Sequence, residues 1–453
     1  MRESPGSGGT STDVDTTAAA PSERGLELIP FRGVRFSPAT VGDLEAVTCP
    51  PYDLIDEDDL RRLRAGASHN IVQITLPGGD YTAAGSLLHR WLSDGTLIVD
   101  GSPALYVYEM SGPRSLQRGL IGGVGLRDEP EGVILPHENV YPGPVRDRLA
   151  LLEATRANLE PIFLTYEGDG PASDLVDLVA DGTAPILEIL SGDGTRHRMW
   201  RLEDDGTVAD DLRGRRALIA DGHHRYAAYR AFQDRQDGPG PWDYGLALLV
   251  DSLRYPPHLG AIHRVLPGLD PLEAVAQAAL AFKVVPLEGG LAKALATLEA
   301  VPDGFLVAGA GCLWLLCDPD PARLAAALPP GHSARWRALN TAILDGLLIG
   351  DLWRITPDEH SVQVVHDDPA HAISRAARTG GTAVILAPLT VPEVMALAAG
   401  GERVPRKSTS FGPKPRTGLV MRLVLSTDPA YPQTRRLYVV DHIRGITVGP
   451  WRI

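Results

Sequence analysis

The stretch that decides the fold reads Leu218-Ile219-Ala220-Asp221-Gly222-His223-His224-Arg225-Tyr226. Its apolar half predicts a short buried strand, and the residues from Tyr226 to Phe232 predict a helix that follows at once. Unpaired N–H groups and the helix dipole attract anions to a helix N-terminus, and Arg225 can bind a phosphate through two hydrogen bonds. The stretch therefore predicts a phosphate site. The alternative is an ordinary strand-to-helix turn, with Asp221 as the helix cap.

A second polar stretch, Leu135-Pro136-His137-Glu138-Asn139, comes earlier in the chain. Arg146 and Arg148 follow it on a predicted helix that ends at Ala157, and a predicted strand begins at Pro161. A carboxylate held by a turn beside two arginines suits a general base next to a phosphate-binding wall. The alternative is that these residues have only a structural role, because helix starts favour carboxylates and surface helices favour arginines.

Length and composition limit the class of protein. The chain has 453 residues, 44% apolar and 22% charged, which predicts about three domains, or two with additional segments, and excludes wholesale disorder, a collagen-like chain and a disulfide scaffold. The net charge of −14 disfavours binding to duplex nucleic acid or anionic lipid. No run of 18 apolar residues and no secretory signal is evident, so we expect a cytoplasmic protein without a membrane span. Two of its three cysteines, Cys312 and Cys317, are predicted to be buried strand residues.

The hydrophobic pattern predicts an α/β protein in which strands and helices alternate. The predicted strands include 70–76, 104–109, 119–126, 161–166, 195–202, 216–220, 246–250, 305–308, 313–316 and 383–386. The predicted helices include 83–92, 146–157, 226–232, 272–282, 290–299 and 335–348. The predicted segments are a disordered tail (1–24), an N-terminal α/β part (25–130), a core (131–266), a C-terminal α/β domain (267–428) and a C-terminal extension (429–453).

A basic stretch near the C-terminus reverses the charge of the chain locally. Residues 403–416 hold five arginines and lysines, with Ser408 and Thr409 among them. Lys407 and Lys414 are the two lysines of this stretch. It is predicted either to close on an anionic ligand or to form a basic surface loop, because its prolines indicate a loop and nothing more.

Taken in order, these motifs resemble a known family. Pro136-His137-Glu138, Pro161-Ile162-Phe163 and the turn after Ala220 resemble the ParB/sulfiredoxin-like fold, and most closely its branch of free L-serine kinases. Over residues 27–425 the chain resembles a large bacterial family of serine-kinase-like proteins of unknown function. The other residues that carry the resemblance are Pro30-Phe31-Arg32-Gly33-Val34, Pro50-Pro51-Tyr52-Asp53, Asn70-Ile71-Val72, Asp147-Arg148-Leu149, His263-Arg264, and Lys407-Ser408-Thr409 with Phe411, Pro413 and Lys414.

The resemblance implies a kinase that transfers a phosphoryl group from ATP, ADP or another nucleotide, with Mg²⁺, to the hydroxyl of a small metabolite. Free serine, giving O-phosphoserine, is the acceptor that it favours. Glu138 would be the base, and Asp221 would be a metal ligand or a second base. The residues implied in binding nucleotide phosphates are Gly222, His223, His224, Arg225, Arg146, Arg148, Lys407, Ser408, Thr409 and Lys414. His137 is assigned to the substrate, and Asn158 either to the substrate or to a helix cap.

Two other functions occur on the same fold. ParB-like relatives use the pocket as a nucleotide-gated DNA clamp, and the acidic net charge argues against specific DNA binding. A sulfiredoxin-like reductase needs a reactive cysteine beside the phosphate turn, and none lies near Gly222 in the sequence. The sequence leaves the phosphoryl donor, the acceptor and the oligomeric state open, with a homodimer among the options.

Overall fold

The computed structural model describes residues 25–113, 115–301, 303–358 and 360–425. The predicted tail 1–24 and the extension 429–453 lie outside the described residues. The strands are β1 (Leu28–Ile29), β2 (Gly33–Phe36), β3 (Leu97–Val99), β4 (Leu105–Gly112), β5 (Ser115–Gly125), β6 (Ile134–Leu135), β7 (Ala157–Asn158), β8 (Ile162–Tyr166), β9 (Leu187–Leu190), β10 (Arg196–Leu202), β11 (Ala217–Asp221), β12 (Tyr244–Asp251), β13 (His258–Gly260), β14 (Ile262–Leu266), β15 (Lys283–Leu287), β16 (Phe305–Gly309), β17 (Cys312–Cys317), β18 (Gln363–His366), β19 (Thr382–Leu386), β20 (Ser410–Gly412) and β21 (Met421–Leu423).

Helices occur between these strands along the whole described chain. The α-helices are α1 (Pro38–Val41), α2 (Leu44–Val47), α3 (Glu57–Gly66), α4 (Val72–Thr75), α5 (Tyr81–Ser93), α6 (Pro142–Thr155), α7 (Pro171–Gly182), α8 (Thr207–Leu212), α9 (His223–Gln233), α10 (Pro271–Ala278), α11 (Gly290–Glu299), α12 (Pro321–Ala327), α13 (Ala334–Arg337), α14 (Asn340–Ile343), α15 (Pro369–Arg378) and α16 (Val391–Ala399). Short 3₁₀ turns cover Tyr52–Leu54, Glu129–Glu131 and Pro241–Asp243, and a π-helix covers Leu344–Leu352. The α/β class predicted from the sequence is confirmed.

The largest unit is a mixed sheet of nine strands in the order β6-β11-β8-β12-β5-β4-β10-β9, with β1 paired to β5. Strands β6 and β11 are parallel, as are β8 and β12, and the other neighbours are antiparallel. The predicted division between residues 130 and 131 passes through this sheet, because β12 pairs along β5. The N-terminal part and the core thus share one sheet.

Strand β11, which leads to the strand-to-helix turn at Gly222, is apolar on both faces of this sheet. Ala217 and Ile219 pack into the core on one face, and Leu218 and Ala220 pack into the core on the other. Side chains alternate between the faces of a strand, so a strand covered on both sides reads as a continuous apolar run. This burial explains why the sequence predicts the strand so clearly.

A second sheet of six strands lies in the C-terminal part, in the order β15-β17-β16-β19-β14-β18. Its strand β14 ends at Leu266, so the predicted start of this domain at residue 267 falls one strand late. The predicted helix over 335–348 is interrupted, since α13, α14 and the π-helix Leu344–Leu352 replace it. Cys317 is buried as predicted, but Cys312 is exposed at the start of β17, where the strand emerges from a turn.

The predicted strand 70–76 is wrong, because this segment forms the helical turn α4. The Asn70 side chain accepts a hydrogen bond from the Val72 N–H at 2.9 Å and donates one to the Ala46 carbonyl at 2.8 Å. These bonds satisfy backbone groups in a helical turn, and a short apolar run does not separate a buried helix from a buried strand.

Two small sheets bring the end of the described chain back to its beginning. Strand β21 pairs with both β2 and β7, and β20 pairs with β13. Residues 403–423, predicted as part of the C-terminal domain, therefore pack against the first two segments. Within the described residues, no helix has both the length and the apolar character that crossing a membrane requires.

Candidate active site

The strand-to-helix turn is formed by the last residue of β11 and the first residues of α9. Gly222 occupies the position before the helix with φ +95°, a left-handed conformation that favours glycine. Asp221 is the last residue of β11 and does not cap the helix. The carboxylate of Asp221 instead accepts from Arg225 Nη2 at 2.5 Å and from Lys414 Nζ at 2.6 Å. The turn is therefore an ion-paired centre and not a plain helix cap.

Both cations on Asp221 change its titration. Burial opposes ionisation of Asp221, but Arg225 and Lys414 outweigh that effect and hold the pKa of the carboxyl below its usual range. Burial likewise disfavours the charged form of Lys414, while Asp221 and Asp53 together raise the pKa of its ammonium. The three groups are therefore charged at neutral pH.

The guanidinium group of Arg225 is held by contacts within the protein. Its Nη1 donates to the Pro161 carbonyl at 2.6 Å, its Nη2 is held by Asp221, and its guanidinium carbon lies 5.8 Å from the centre of the Tyr52 ring. Only Nε of this buried side chain is left without a hydrogen-bond partner among the described residues. The two-fold phosphate grip expected from the sequence would compete with these contacts.

Two buried histidines join the turn to the Pro-His-Glu stretch. The rings of His137 and His223 meet edge to face, with centroids 4.6 Å apart, and the His137 N–H donates to His223 Nε2 at 3.2 Å. Burial lowers the pKa of His137 to about 4 and that of His223 well below its usual value. Both rings are neutral at pH 7, so they contribute hydrogen bonds and packing to the site, not positive charge.

Glu138 is the half-buried carboxylate of this stretch. Its Oε1 accepts from the Thr409 hydroxyl at 3.1 Å. Burial raises the pKa of Glu138, and the charge of Asp221 adds to that increase, while Thr409, Lys407 and Lys414 oppose it. A carboxylate whose pKa is raised toward neutrality takes up a proton more readily, which is the property of a general base.

The basic segment 403–416 lies against the turn. The Val404 N–H donates to the His137 carbonyl at 3.0 Å, and the Lys414 ammonium bridges Asp53 and Asp221. Lys407 is exposed with φ +57°, and the Ser408 hydroxyl donates to the Pro405 carbonyl at 2.6 Å. The structure thus places Lys414 at the turn and Thr409 against Glu138 and His137, while Ser408 is engaged within its own loop.

Of three further predicted residues, one is exposed and two contact other parts of the chain. Arg146 is exposed on α6. Arg148 is buried; it binds the neighbouring Asp147, donates to the Thr75 carbonyl at 3.0 Å, and stacks on the Tyr52 ring at 4.4 Å. Asn158 is buried in β7, and its Oδ1 accepts from the Leu246 N–H at 3.1 Å.

His224 and its neighbour Tyr141 stand at the edge of the turn. The Tyr141 N–H donates to His224 Nε2 at 3.1 Å, and the two rings stack with centroids 6.1 Å apart. The Arg406 guanidinium lies 5.1 Å from the centre of the Tyr141 ring. His224 therefore contacts the start of α6 at the margin of the site.

Tyr52 and Asp53 also lie at this centre, although no motif in the sequence predicts them there. Asp53 binds Lys414, and Tyr52 lies between Arg148 and Arg225. The backbone N–H of Tyr52 donates to Glu160 Oε1 at 3.2 Å. In the sequence these residues appear only as part of the rigid turn Pro50-Pro51-Tyr52-Asp53, one of the motifs that carry the family resemblance. That motif does not indicate that the turn lies close to Gly222.

The expected Mg²⁺ has no ready ligand set. Within the part of the chain that the structure describes, no three His, Cys, Asp or Glu side chains form a group able to hold a metal ion. Both oxygens of Asp221 are held by cations, so a metal at Asp221 would first require Lys414 or Arg225 to leave. Mg²⁺ would instead have to be bound largely by the oxygens of nucleotide phosphates, as is common for this ion.

Fold and site together define a mixed α/β protein with a charged centre built from four segments that are distant in the sequence. A family model matches residues 28–342, and its description is a protein of unknown function, DUF1015. The chain belongs to this family, which confirms the family predicted from its motifs. No curated protein matches the sequence.

Several solved structures show a distant likeness. A free serine kinase in complex with AMP is 14% identical, with a TM-score of 0.33, over 62% of this chain and 83% of that one. SbnI with a C-terminal truncation, from Staphylococcus aureus, is 14% identical, with a TM-score of 0.32, over 68% and 84%. A conserved hypothetical protein from Pyrococcus furiosus is 14% identical, with a TM-score of 0.31, over 62% and 87%. Similarity at this level does not assign an activity to the chain.

Proposed function

We propose that this protein is a nucleotide-dependent phosphotransferase that acts on the hydroxyl of a small metabolite. The observation that carries the proposal is the convergence of Glu138, the Asp221–Arg225 turn and Lys414 at one centre. Phosphoryl transfer to an alcohol needs a group to take the hydroxyl proton and positive charge for the phosphates, and this centre supplies both.

In the proposed reaction the acceptor oxygen attacks the terminal phosphorus of the nucleotide. A new P–O bond forms, the P–O bond to the leaving nucleotide breaks, and the hydroxyl proton passes to Glu138. Lys414 and the N–H groups at the start of α9 contact the phosphates. Bound with the nucleotide, Mg²⁺ would neutralise further phosphate charge.

The acceptor that we propose is free serine, which would give O-phosphoserine. Support for serine comes from the order of the motifs Pro136-His137-Glu138 and Asp221-Gly222-His223-His224-Arg225, which resemble those of free L-serine kinases. The donor we propose is ATP or ADP. The proposed site residues are Glu138 and Asp221 for the chemistry, His137 and Asn158 for the substrate, and Gly222, His223, His224, Arg225, Arg146, Arg148, Lys407, Ser408 and Lys414 for the phosphates, with Thr409 beside Glu138.

The test is a screen of the purified full chain with Mg²⁺ and each of ATP, ADP and CTP against a panel of hydroxy amino acids and hydroxy acids. Phosphorus NMR detects both a new phosphomonoester and the spent nucleotide. Glu138→Gln should lower turnover by about 10²-fold or more. It should keep its nucleotide affinity, because Glu138 is assigned to the proton and not to the phosphates.

Two results would contradict the proposal. One is the absence of any phosphorylated acceptor while the protein binds nucleotide. The other is tight, sequence-specific and CTP-dependent binding to DNA, which would identify a ParB-like clamp. DNA binding that disappears with modest salt is nonspecific and would leave the proposal standing.

A further inference from the structure

One hydroxyl connects the two polar residues of the Pro-His-Glu stretch. Thr409 Oγ1 donates to Glu138 Oε1 at 3.1 Å and lies 2.9 Å from His137 Nε2. With its proton directed to Glu138, this oxygen accepts from the Nε2–H of His137, which is neutral because burial lowers the pKa of that ring to about 4. Thr409 therefore fixes one carboxylate oxygen of Glu138 relative to a buried ring.

The backbone around Thr409 is held in place from several sides. Arg264, a buried residue of β14, donates from Nη2 to the Lys407 carbonyl at 3.1 Å. Lys407 itself takes up φ +57°, a conformation that non-glycine residues adopt rarely and that the surrounding contacts must maintain. The Ser408 hydroxyl closes the turn onto the Pro405 carbonyl at 2.6 Å. The hydroxyl of Thr409 is thus placed by a preorganised loop and not by a free surface chain.

A positioning role explains these contacts better than a direct phosphate contact does. A threonine hydroxyl has one proton to donate, and here that proton is directed to Glu138. A phosphate at Thr409 would have to take the proton and leave Glu138 without this bond. Lys407 and Lys414 are better placed to supply charge, because each already acts electrostatically on Glu138 from the same loop.

We propose that Thr409 is a positioning residue, which orients the Glu138 carboxylate for proton transfer and favours its ionised form through their hydrogen bond. This inference rests on the proposed function, in which Glu138 takes the acceptor proton. It assigns to the C-terminal loop a part in the chemistry beyond nucleotide binding. The charged groups that act on Glu138 are Asp221, Lys407 and Lys414.

The test replaces Thr409 by valine, which keeps the shape and removes the hydroxyl, and by serine, which restores it. A hydrogen bond to a charged group is worth about 1.5–3 kcal/mol, so the acid limb of the kcat profile should move up by about one to two pH units in Thr409→Val. Turnover at pH 7 should fall by roughly 10-fold, with KM for nucleotide unchanged. Thr409→Ser should restore the wild-type profile.

A second readout does not depend on turnover. Carboxyl-¹³C NMR of the full chain labelled at glutamate, with the Glu138 signal assigned by its loss in Glu138→Gln, follows the titration of Glu138 directly. In Thr409→Val this titration should also move up. Ser410→Ala is the matched control, since the Ser410 hydroxyl lies against His366 Nδ1 at 3.2 Å, and it should leave the titration unchanged.

The inference would be overturned if Thr409→Val left both the Glu138 titration and the pH profile of kcat unchanged. It would also be overturned if Thr409→Val raised the KM for nucleotide and left kcat intact, because that result would identify Thr409 as a phosphate ligand. If Thr409→Val fails to fold, Thr409→Ala removes the same hydroxyl with less bulk and is judged by the same two readouts. A moved titration in a protein that phosphorylates no acceptor would support the role of Thr409 in setting the charge of Glu138 and reject the proposed kinase.

Discussion

The Lys414 ammonium lies 2.6 Å from Asp221 Oδ1 and also binds Asp53, so one lysine connects the C-terminal loop to the strand-to-helix turn at Asp221 and to the N-terminal part. The side chain of Lys414 is 15% exposed. In the absence of a phosphate, two carboxylates compensate its charge. An incoming phosphate must therefore compete with Asp53 and Asp221 for the same cation.

This competition predicts opposite effects for the two partners. Lys414→Ala should weaken nucleotide binding by roughly 10- to 150-fold, the usual range for losing a contact to an ionised group. Asp53→Asn should strengthen binding by about two- to five-fold, because it releases Lys414 from a partly exposed ion pair. Titration calorimetry measures both affinities, with the exposed Lys293→Ala as the control. Unchanged affinity in Lys414→Ala would remove the C-terminal loop from the phosphate site.

Arg225 is expected to matter for stability as well as for binding. Arg225→Ala removes a buried guanidinium that binds Asp221 and the Pro161 carbonyl, and should lower the free energy of unfolding by about 3 kcal/mol. Urea unfolding gives the value, and Arg235→Ala, which removes an exposed ion pair with Glu153, should stay within about 0.5 kcal/mol. A fully stable Arg225→Ala that has lost nucleotide binding would show that Arg225 is mainly a phosphate ligand.

Gly222 should not tolerate a side chain. An alanine Cβ there would lie 3.1 Å from Arg225 Nε, at a φ of +95° that is unfavourable for any L residue. We expect Gly222→Ala to lower the free energy of unfolding by about 1–3 kcal/mol. Gly78→Ala separates the two causes, because Gly78 has φ +67° but open space around its Cβ. Equal losses at both positions would exclude the contact with Arg225 as a cause.

Stability should fall as the pH drops from about 6.5 toward 4. Burial lowers the pKa of His197 to about 4, below its value in the unfolded chain, so within this window the unfolded state binds the extra proton and becomes favoured. Removing this group in His197→Asn should reduce the slope of unfolding free energy against pH by up to about 1.4 kcal/mol per pH unit. The exposed His371→Asn serves as the control in urea unfolding between pH 7 and pH 5. An unaltered slope in His197→Asn would show that the ring is not held neutral.

The elements that the sequence predicts well are those whose apolar pattern is regular. Strand β11 is buried on both faces and α5 follows a regular apolar period, so both appear close to their predicted bounds. Segment 70–76 failed because a short apolar run fits a helical turn as well as a strand. The π-helix Leu344–Leu352 interrupts a pattern that predicts one continuous helix.

The same contrast holds for the site. Glu138 and Asp221 could be proposed from the sequence because each belongs to a short motif with its own local chemistry. Tyr52 and Asp53 could not, since their contacts with Arg225 and Lys414 depend on tertiary packing between segments far apart in the chain. The sequence likewise does not show that one sheet crosses the predicted boundary after residue 130, because β12 and β5 pair over a long distance in the chain.

The position of β21 between β2 and β7 has a consequence for the order of synthesis. A ribosome makes β2 and β7 long before β21, and at ordinary elongation rates the later strand follows Asn158 after roughly 10–50 s. During that interval the facing edges of β2 and β7 have no strand to join them, and the nascent chain carries Glu138 and Asp221 without Thr409 or Lys414. Unpaired strand edges are sites of aggregation, so this protein depends on its residues 409–423 both to complete the sheet and to complete the centre.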